Sequence, residues 1–412
     1  MSPTLPPYRS HCLTRNLSLV FIILTLVIDA MGVGVMIPVL PALIRDVTGS
    51  NLADAALWGG FLSAVFAGMQ FLFGPTIGNI SDRWGRRPVL LVSLFVMMLS
   101  YLVMATANTI WLLLAGRIVS GITAATYPTA TAYIADISPP EKKAANFGLV
   151  GAAFGIGFVL GPVIGGILGE YGTRAPFFAA AALAGLNMTL GYFTLRETVT
   201  DAIRRSFSWR RANPLGAFRA VSSLPGARAL LLFAFLNAVA GFVYAAIWPY
   251  FGEERFGWGP GMIGISLGVF GISMAAVQGG LIRLVLKRLG ERRTVLVGVG
   301  FNIFAFTLMA FVTQGWIVLA LSPLAAMGGL AGPALQGILS KQAPDDAQGE
   351  LQGVISSLTA IATIIAPLTM TAIFAFFTGP SAPFYLPGAP FLLALAIAGI
   401  SVPVFLAGCK KG

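Results

Sequence analysis

The sequence has few charged side chains. Asp, Glu, Lys and Arg make up 10% of its 412 residues, whereas hydrophobic residues make up 57%. A soluble globular domain is about 25% charged, so this composition excludes a soluble enzyme and a disordered chain. The net charge of +11 is too dilute to indicate a nucleic-acid-binding protein.

Cysteine and histidine are almost absent. Cys12 and Cys409 lie near opposite ends of the chain, and His11 is the only histidine. These residues form neither a disulfide framework nor the ligand set of a His/Cys metal site. The sequence also has no glycine-rich phosphate-binding loop, which argues against ATP hydrolysis as an energy source. We therefore predict no metal site, no cofactor and no enzymatic activity.

Long hydrophobic stretches are the dominant feature of the sequence. A helix that crosses the hydrocarbon core of a bilayer needs about 20 mostly apolar residues. Twelve such stretches are predicted, at residues 17–43, 56–80, 89–107, 110–134, 144–168, 176–195, 229–251, 261–286, 294–312, 316–339, 351–377 and 385–407. The first is too long for the hydrophobic region of a signal peptide.

Positive charges are distributed unevenly among the loops. Of the 26 Lys and Arg residues, 22 fall in the tails, the central linker and alternate loops, whereas Arg45, Arg174 and Arg255 fall in the other loops. Because Lys and Arg concentrate on the cytoplasmic side, both termini are predicted to be cytoplasmic. The predicted segments are an N-terminal tail (1–16), a six-helix bundle (17–195), a cytoplasmic linker (196–228), a second six-helix bundle (229–407) and a C-terminal tail (408–412).

The two halves of the chain match each other at an offset of 205 residues. The coinciding pairs are Pro128 with Pro333, Pro139 with Pro344, Pro162 with Pro367, Gly85 with Gly290, Arg87 with Arg292, and Gly148 with Gly353. We interpret them as parallel repeats, an architecture that places a binding site at the midplane between the halves and works by rocking. The alternative is coincidence among helices of similar composition.

The loop after the second stretch reads Gly78-Asn79-Ile80-Ser81-Asp82-Arg83-Trp84-Gly85-Arg86-Arg87. It closely resembles the signature loop of the major facilitator superfamily. The resemblance implies an all-α polytopic membrane protein, in which twelve transmembrane helices form two six-helix bundles around a central cavity. It also implies a cytoplasmic gate made by Gly78, Asp82, Arg83, Gly85, Arg86, Arg87 and Asp136.

The fifth stretch carries a glycine-rich pattern at Gly157, Gly161, Pro162, Gly165 and Gly166. This pattern resembles the antiporter motif of drug and metabolite exporters in the same superfamily. Small residues let helices approach closely, and the proline bends the helix. The alternative is that these glycines serve packing alone.

Further stretches resemble the tetracycline/proton antiporter family. They are Asp29-Ala30-Met31-Gly32, Pro38-Val39-Leu40-Pro41, Gly116-Arg117, Ser120-Gly121-Ile122-Thr123, Arg255-Phe256-Gly257-Trp258 and Pro333-Ala334-Leu335-Gln336-Gly337. The resemblance implies a secondary active transporter in a bacterial cytoplasmic membrane, which uses the proton gradient to export a small lipophilic or amphiphilic compound, as in tetracycline efflux.

The chain departs from that family at three positions. The family has an acidic residue in the third span, a histidine in the eighth and an acidic residue in the ninth, where this chain has Ser100, Met274 and Asn302. The family uses those groups for protons and for a metal–tetracycline chelate. Gln70 and Gln278 do match the family pattern.

Two ionisable side chains are predicted deep in the membrane, Asp29 in the first span and Arg117 in the fourth. At 1.5 Å per residue, Asp29 lies roughly 18 Å from the inner end of its span and Arg117 roughly 10 Å from the outer end. The two therefore lie at similar depth, and buried charges of this kind are functional candidates. We predict that Asp29 carries protons and that Arg117 is its partner. The alternative is a permanent ion pair that only fixes helix register.

The cytoplasmic gate is expected to act through two contacts. The resemblance implies that Asp82 faces the N-terminus of the eleventh span, whose dipole attracts an anion, and that Arg86 bridges to Asp136. The repeat places Lys287 at the position of Asp82 and Lys341 at that of Asp136, so the second half is expected to lack this acidic gate. The alternative is a basic loop that serves topology alone.

Polar or amphipathic residues within the spans are candidates for substrate contact, although each can equally serve helix packing. They are Gln70, Tyr127, Asn237, Tyr244, Trp248, Gln278 and Gln336. The predicted partners are a small molecule, protons and the lipid bilayer, without nucleic acid, and the chain is expected to be a monomer. Two other functions stay open: a metabolite facilitator or antiporter, and a non-transporting sensor or assembly protein on the same fold.

Overall fold

The fold is built from helices. The structure, a computed structural model, describes residues 8–124, 126–201, 204–209, 213, 227–342 and 347–409, without the side chains of residues 8–17 and 144. Every regular element in these ranges is helical. Pro344 lies outside the described part, as do the side chains of His11 and Cys12. Five of the basic residues counted above also lie outside it: Arg210, Arg211, Arg219, Lys410 and Lys411. The predicted all-α fold is confirmed.

The helices follow the predicted spans, with differences of several residues at their ends. In the first half they run over Tyr8–Met36, Leu40–Thr48, Leu52–Trp84, Arg86–Thr106, Ile110–Ile122, Thr126–Ile137, Pro140–Tyr171 and Ala175–Thr194. In the second half they run over Arg228–Gly241, Val243–Phe256, Pro260–Ala276, Ile282–Phe311, Gly315–Ala326, Ala331–Gln342, Gln348–Thr378 and Ala389–Gly408. Shorter 3-10 turns lie at Ile37–Val39 and Met327–Leu330, and a π-helical turn lies at Val277–Leu281.

Among the described residues, 11 helical segments are long and apolar enough to cross a membrane, and one of them holds two spans. The segment Pro260–Phe311 has 52 residues. At 1.5 Å per residue it would measure about 78 Å, against about 30 Å for the bilayer core. Gly290 divides it, with φ 71° and ψ 170°. The two pieces are spans 8 and 9, so the twelve predicted spans are confirmed, and they are numbered below in chain order.

Breaks inside the helices follow the repeat of 205 residues. Span 1 is interrupted at Ile37–Val39, and span 7 is interrupted at Phe242, 205 residues after Ile37. Span 4 is broken after Ile122, and span 10 changes to a 3-10 turn at Met327–Leu330, again 205 residues later. Equivalent spans therefore break at equivalent positions, which supports the two-repeat interpretation over chance similarity.

Local sequence explains where several spans begin and end. The Asn51 side chain accepts a hydrogen bond of 2.9 Å from the Asp54 amide and so caps the start of span 2. Gly85 ends span 2 with φ 117° and ψ 154°, a backbone conformation that is essentially restricted to glycine. Gly290 occupies the equivalent position of the second half and also has a positive φ.

The ends of the spans define two faces of the bundle. We call the face with the turns at Gly85 and Gly290 and with residues 195–201 the linker face. We call the opposite face, with the turns at residues 49–51, 172–174 and 257–259, the far face. Span 1 starts at the linker face and ends at the far face, and the following spans alternate.

The hydrophobic core joins the two halves near the far face and separates toward the linker face. Near the far face, one buried cluster contains Leu43 from the first half and Phe374 from the second. Near the linker face each half has its own cluster, around Ile22 and Tyr133 in the first half and around Phe405 in the second. The halves therefore share one core at one end of the molecule only.

The seam between the halves is made by spans 2 and 11 and by spans 5 and 8. Gly60 lies directly against Thr371, and Gly166 lies directly against Gly264. Both contacts are near the far face, because Gly60 precedes the linker-face end of its span at Trp84 by roughly 36 Å of helix. The halves are therefore in contact at the far face, whereas their cores are separate toward the linker face.

Candidate functional site

Asp29 lies partly buried in span 1, beside the break in span 4. Its carboxylate is within interaction distance of Thr126, the first residue after that break. Tyr101 of span 3 is close enough to feel the charge of Asp29. Asp29 therefore lies beside the broken span 4.

Arg117 is buried in span 4, with 6% of its surface exposed. Its Nη2 lies 2.7 Å from the Met36 sulfur, and its guanidinium lies 5.7 Å from the Phe66 ring centre. Within the described residues Arg117 forms no ion pair. The structure therefore does not show the permanent Asp29–Arg117 bridge, and a buried guanidinium that stays charged is held by sulfur and π contacts instead.

Tyr101 connects the two ionisable groups and was missed by sequence reasoning. It is buried, and its hydroxyl lies directly against Gly32, one helical turn after Asp29. Both Asp29 and Arg117 act on it electrostatically. A tyrosine inside an apolar span gives no sequence signal of such a role, because packing explains it equally well.

The glycine-rich pattern of span 5 serves two different seams. Gly157, Gly161 and Gly165 lie directly against the backbone of span 1, at Val27, Met31 and Val35 respectively. This face holds span 5 against the helix that carries Asp29. Gly166 points the other way and meets span 8 across the boundary between the halves. The close approach expected of the small residues is present, and any role in antiport stays a prediction.

The bridge predicted at the linker face is present. Arg86 Nη1 lies 2.5 Å from Asp82 Oδ1, and Arg86 Nε lies 3.3 Å from Asp136 Oδ2. Arg86 also donates to the Ser81 hydroxyl at 3.1 Å. The Arg86 side chain is only 13% exposed. It connects the start of span 3 to the ends of spans 2 and 4.

Glu197 completes this cluster, although no motif in the sequence singles it out. Its two carboxylate oxygens accept the amides of Arg86 and Arg87, at 2.8 and 3.2 Å, at the start of span 3. An anion at a helix N-terminus satisfies free amides and the helix dipole. The neighbouring Thr198 hydroxyl donates to Asp136 at 3.0 Å. The beginning of the linker thus ties the gate loop to the end of span 4.

The other members of the gate loop have local contacts. Arg87 donates to the Tyr192 carbonyl at 2.7 Å and lies over the Tyr192 ring, whereas Arg83 lies over the Trp84 ring. Gly78 has open space around its Cα. In this conformation Asp82 bonds to Arg86, and its predicted contact with the start of span 11 stays a prediction for a state in which the linker face closes.

The second half has an ion pair at the equivalent place with its charges exchanged. The acids of the first-half gate are replaced there by Lys287 and Lys341, as expected, but the pair itself was not predicted. Glu291 occupies the position of Arg86 in the repeat, and Lys341 that of Asp136. Lys341 Nζ lies 2.8 Å from Glu291 Oε1. A comparison of the positions of the first-half acids does not reveal this pair. In the second half the acidic residue is at the position of Arg86 and the basic residue is at the position of Asp136.

Two glutamines lie against the broken central spans. Gln70 Nε2 is 3.4 Å from the Ala124 carbonyl in the break of span 4. Gln278, within the π-helical turn of span 8, lies close to Gly329 in the 3-10 turn of span 10. Both side chains are exposed. The predicted substrate contacts at these positions thus occupy corresponding places in the two halves.

The three positions that depart from the family pattern have ordinary packing contacts. Met274 lies against Gly329, and Asn302 lies against Gly328, so both meet the 3-10 turn of span 10. Ser100 is buried and donates to the Gly116 carbonyl at 3.4 Å. The described residues hold no group of three His, Cys, Asp or Glu side chains placed to bind a metal ion.

The remaining candidates differ in exposure. Trp248 is buried, and its indole donates to the Ser266 hydroxyl at 2.9 Å, which favours packing over substrate contact. Tyr244 stacks on Phe270 with 5.7 Å between ring centres. Tyr127 is 43% exposed beside Phe154. Asn237 and Gln336 are partly exposed in spans 7 and 10.

Polar contacts at the far face were not predicted. Arg45 and Glu253 form an ion pair between the halves. Glu170 of span 5 accepts the amide of Gly261 in span 8 at 2.8 Å. Tyr385 donates to Glu254 at 2.9 Å, within the second half. In the sequence these residues are indistinguishable from other polar residues in loops, because the order of the chain does not show which loops contact each other.

Comparison with known proteins places the chain in a family. The sequence model of the Major Facilitator Superfamily matches residues 22–367 and 230–406. The chain is 45% identical to the class C tetracycline resistance protein of Escherichia coli, over 87% of this chain and 90% of that protein. It is 40% identical to the class G tetracycline resistance protein of Vibrio anguillarum, with the same coverage.

Solved structures share the fold at lower identity. The human organic anion transporter MFSD10 (TETRAN) is 24% identical, with a TM-score of 0.67 over 97% of this chain and all of that one. A bacterial homologue of the human lysosomal transporter Spinster is 16% identical, with a TM-score of 0.75 over 99% of this chain and 98% of that one. Together with the twelve spans and the family match, these likenesses describe a multi-pass membrane transporter. The chain belongs to the Major Facilitator Superfamily.

Proposed function

We propose that this protein exports a small lipophilic or amphiphilic compound in exchange for protons, acting as a monomer by alternating access. The observation that carries the proposal is the asymmetric contact between the two repeats, which share one core near the far face and have separate cores near the linker face. Parallel repeats that meet at one end expose a midplane site to one side at a time. The tetracycline resistance proteins among its relatives support drug export.

The linker face is assigned to the cytoplasm. The basic residues of the gate loop and of the loop around Gly290 lie there, and Lys and Arg concentrate on the cytoplasmic side of membrane proteins. The membrane is then the bacterial cytoplasmic membrane, with both termini inside. In this orientation the structure is the inward-facing state, ready to take up substrate from the cytoplasm.

Asp29 is the proposed proton carrier. It is partly buried in span 1, lacks an ion-pair partner among the described residues, and shares Tyr101 as a neighbour with the permanently charged Arg117. Rocking of the halves changes the exposure of Asp29 to water and hence the free energy of its charged form. Asp29 then binds a proton on the far side and releases it on the linker side while substrate moves outward.

The substrate is proposed to bind through apolar surface and hydrogen bonds. Gln70 and Gln278 offer amide groups beside the broken spans 4 and 10, and Tyr244 and Tyr127 offer aromatic surface. Divalent cations such as Mg²⁺ require oxygen ligands, commonly carboxylates. Because Met274 and Asn302 supply no carboxylate beside span 10, binding is expected not to depend on a metal chelate.

Proton coupling is tested with inverted membrane vesicles under an imposed pH gradient. Asp29→Asn should reduce gradient-driven drug accumulation to the background of empty vesicles, because the carrier can no longer bind a proton. The matched control is Asp46→Asn, which removes an exposed carboxylate from the same span and should leave accumulation unchanged. Wild-type accumulation in Asp29→Asn would refute the assignment.

Substrate class is tested in the same vesicles with tetracycline, with and without Mg²⁺, and with lipophilic compounds that do not chelate metals. We expect uptake of at least one non-chelating compound, and equal tetracycline uptake with and without the cation. Strong uptake that requires Mg²⁺ would contradict the proposed mode of binding but not the transport function.

A further inference from the structure

The two halves meet at the far face through a carboxylate placed over the start of a helix. Glu170 lies on the last turn of span 5 in the first half, and Gly261 lies on the first turn of span 8 in the second. The Gly261 amide donates to Glu170 Oε1 at 2.8 Å. This hydrogen bond therefore crosses the boundary between the halves.

The local sequence favours an anion at this helix N-terminus. The first residue of the helix is Pro260, which has no amide hydrogen, so Gly261 supplies the first free donor. A methyl group at Gly261 would lie 2.8 Å from the Glu170 carboxylate, and one at Gly259 would lie 3.1 Å from it. Glycine on both sides of the proline thus leaves room for the carboxylate, and the helix dipole favours its charge.

Beneath this contact the helices pack backbone to backbone. Gly166 lies against Gly264, one helical turn below Glu170. Neither residue has a side chain that could interlock with the partner helix. The polar contact at the rim is consequently the specific part of this seam, whereas the glycine contact supplies close packing.

Other acidic residues at the same face show which contacts cross the boundary. The ion pair of Arg45 and Glu253 crosses it beside a cavity of about 350 Å³, which Trp258 also lines. Glu254, next in the chain, bonds to Tyr385 within the second half. The Glu170 contact must break when the far face opens, whereas the Glu254 contact can persist.

We propose that Glu170 and the N-terminus of span 8 form the latch that holds the far face closed, and that this latch sets the balance between the two access states. The inference rests on the proposed alternating-access function. Loss of the carboxylate removes a charge from the helix start and a hydrogen bond between the halves, so the far-face-open state gains population.

The test follows the reactivity of single cysteines in a Cys12→Ser/Cys409→Ser background. Thr371→Cys reports on the far face, because Thr371 is 1% exposed in the separate seam with Gly60. Gln70→Cys reports on the open linker side. With purified protein in lipid nanodiscs, Glu170→Ala should raise the maleimide labelling rate of the Thr371→Cys reporter about tenfold, the size expected for a lost charged hydrogen bond. The rate of the Gln70→Cys reporter should fall.

The matched control is Glu254→Ala, which removes an acid of the same face whose hydrogen bond lies within the second half, and it should leave both rates at parental values. An unchanged rate at the Thr371→Cys reporter in Glu170→Ala would overturn the proposal. A rise at both reporters would also overturn it, because general loosening of the fold exposes both faces. The labelling needs neither substrate nor gradient, so its outcome is independent of whether proton-coupled export is found.

Discussion

The linker-face bridges of the two halves occupy the same place in the fold with opposite charges. In the first half the cation is on the loop and the anion is on span 4, as Arg86 and Asp136. In the second half the anion is on the loop and the cation is on span 10, as Glu291 and Lys341. The repeat has therefore retained the contact between loop and span, but not the sign of either partner.

The two bridges also differ in their surroundings. Arg86 is 13% exposed and has Asp82 and Ser81 as further partners, whereas the Lys341 side chain is 72% exposed. Exposed ion pairs contribute about 0 to 1 kcal/mol, and partly buried charges with several hydrogen bonds contribute more. We infer that the first-half bridge has the mechanical role and that the second-half bridge adds little.

The largest effect is expected from reversing the charge at Arg86. Arg86→Glu places an anion among Asp82, Asp136 and Glu197, so substrate transport should fall by at least about tenfold, which corresponds to about 1.4 kcal/mol or more. The double variant Arg86→Glu/Asp136→Lys reproduces the charge order of the second half and should recover part of the loss. Recovery stays incomplete because Glu197 and Asp82 remain. Vesicle transport measures both, and full activity of the single variant would refute a mechanical role for this bridge.

A smaller effect on transport, together with a loss of stability, is expected at the two turn glycines that precede the bridges. Alanine at either Gly85 or Gly290 must adopt a backbone conformation that costs about 1–3 kcal/mol outside glycine. Gly85→Ala should cost more than Gly290→Ala, because its methyl group would meet the Glu197 carboxylate, whereas the space around Gly290 is open. Thermal unfolding of the purified variants measures the difference. Equal shifts in Tm would show that the Glu197 contact contributes nothing.

The smallest effect is expected from neutralising the second-half bridge. Glu291→Gln should leave transport within about fivefold of wild type, because a pair whose lysine is largely exposed contributes about 1 kcal/mol at most. The matched change in the first half, Asp136→Asn, should have the larger effect. Transport rates at low and high salt measure both, and a greater loss in Glu291→Gln would reverse the inferred ranking of the halves.

Much of the fold could be predicted from the sequence because the membrane restricts it so strongly. Span number follows from hydrophobic length, and the repeat follows from coinciding proline and glycine positions, of which Gly85 and Gly290 lie at turns between spans. Helix length alone does not separate spans 8 and 9, because the helical segment Pro260–Phe311 continues through the turn at Gly290 without a loop.

The contacts of the site were predictable only where a motif supplied them. Arg86 and Asp136 were paired through the resemblance of their loop, and the structure confirms that pair. Glu197, Tyr101 and Glu170 were missed because each acts on a backbone group or a neighbour far away in the chain. Hydrophobicity and charge patterns report the environment of a residue along its own helix, not the identity of the helix that packs against it.

The glycine seam between spans 5 and 8 has a thermodynamic consequence. Where Gly166 meets Gly264, the surfaces that touch are backbone atoms alone. Joining two side-chain surfaces immobilises rotamers, at about 0.5–2 kcal/mol of lost entropy for each long side chain, whereas glycine has no rotamers to lose. This part of the seam can therefore form and separate in every cycle without that entropic penalty.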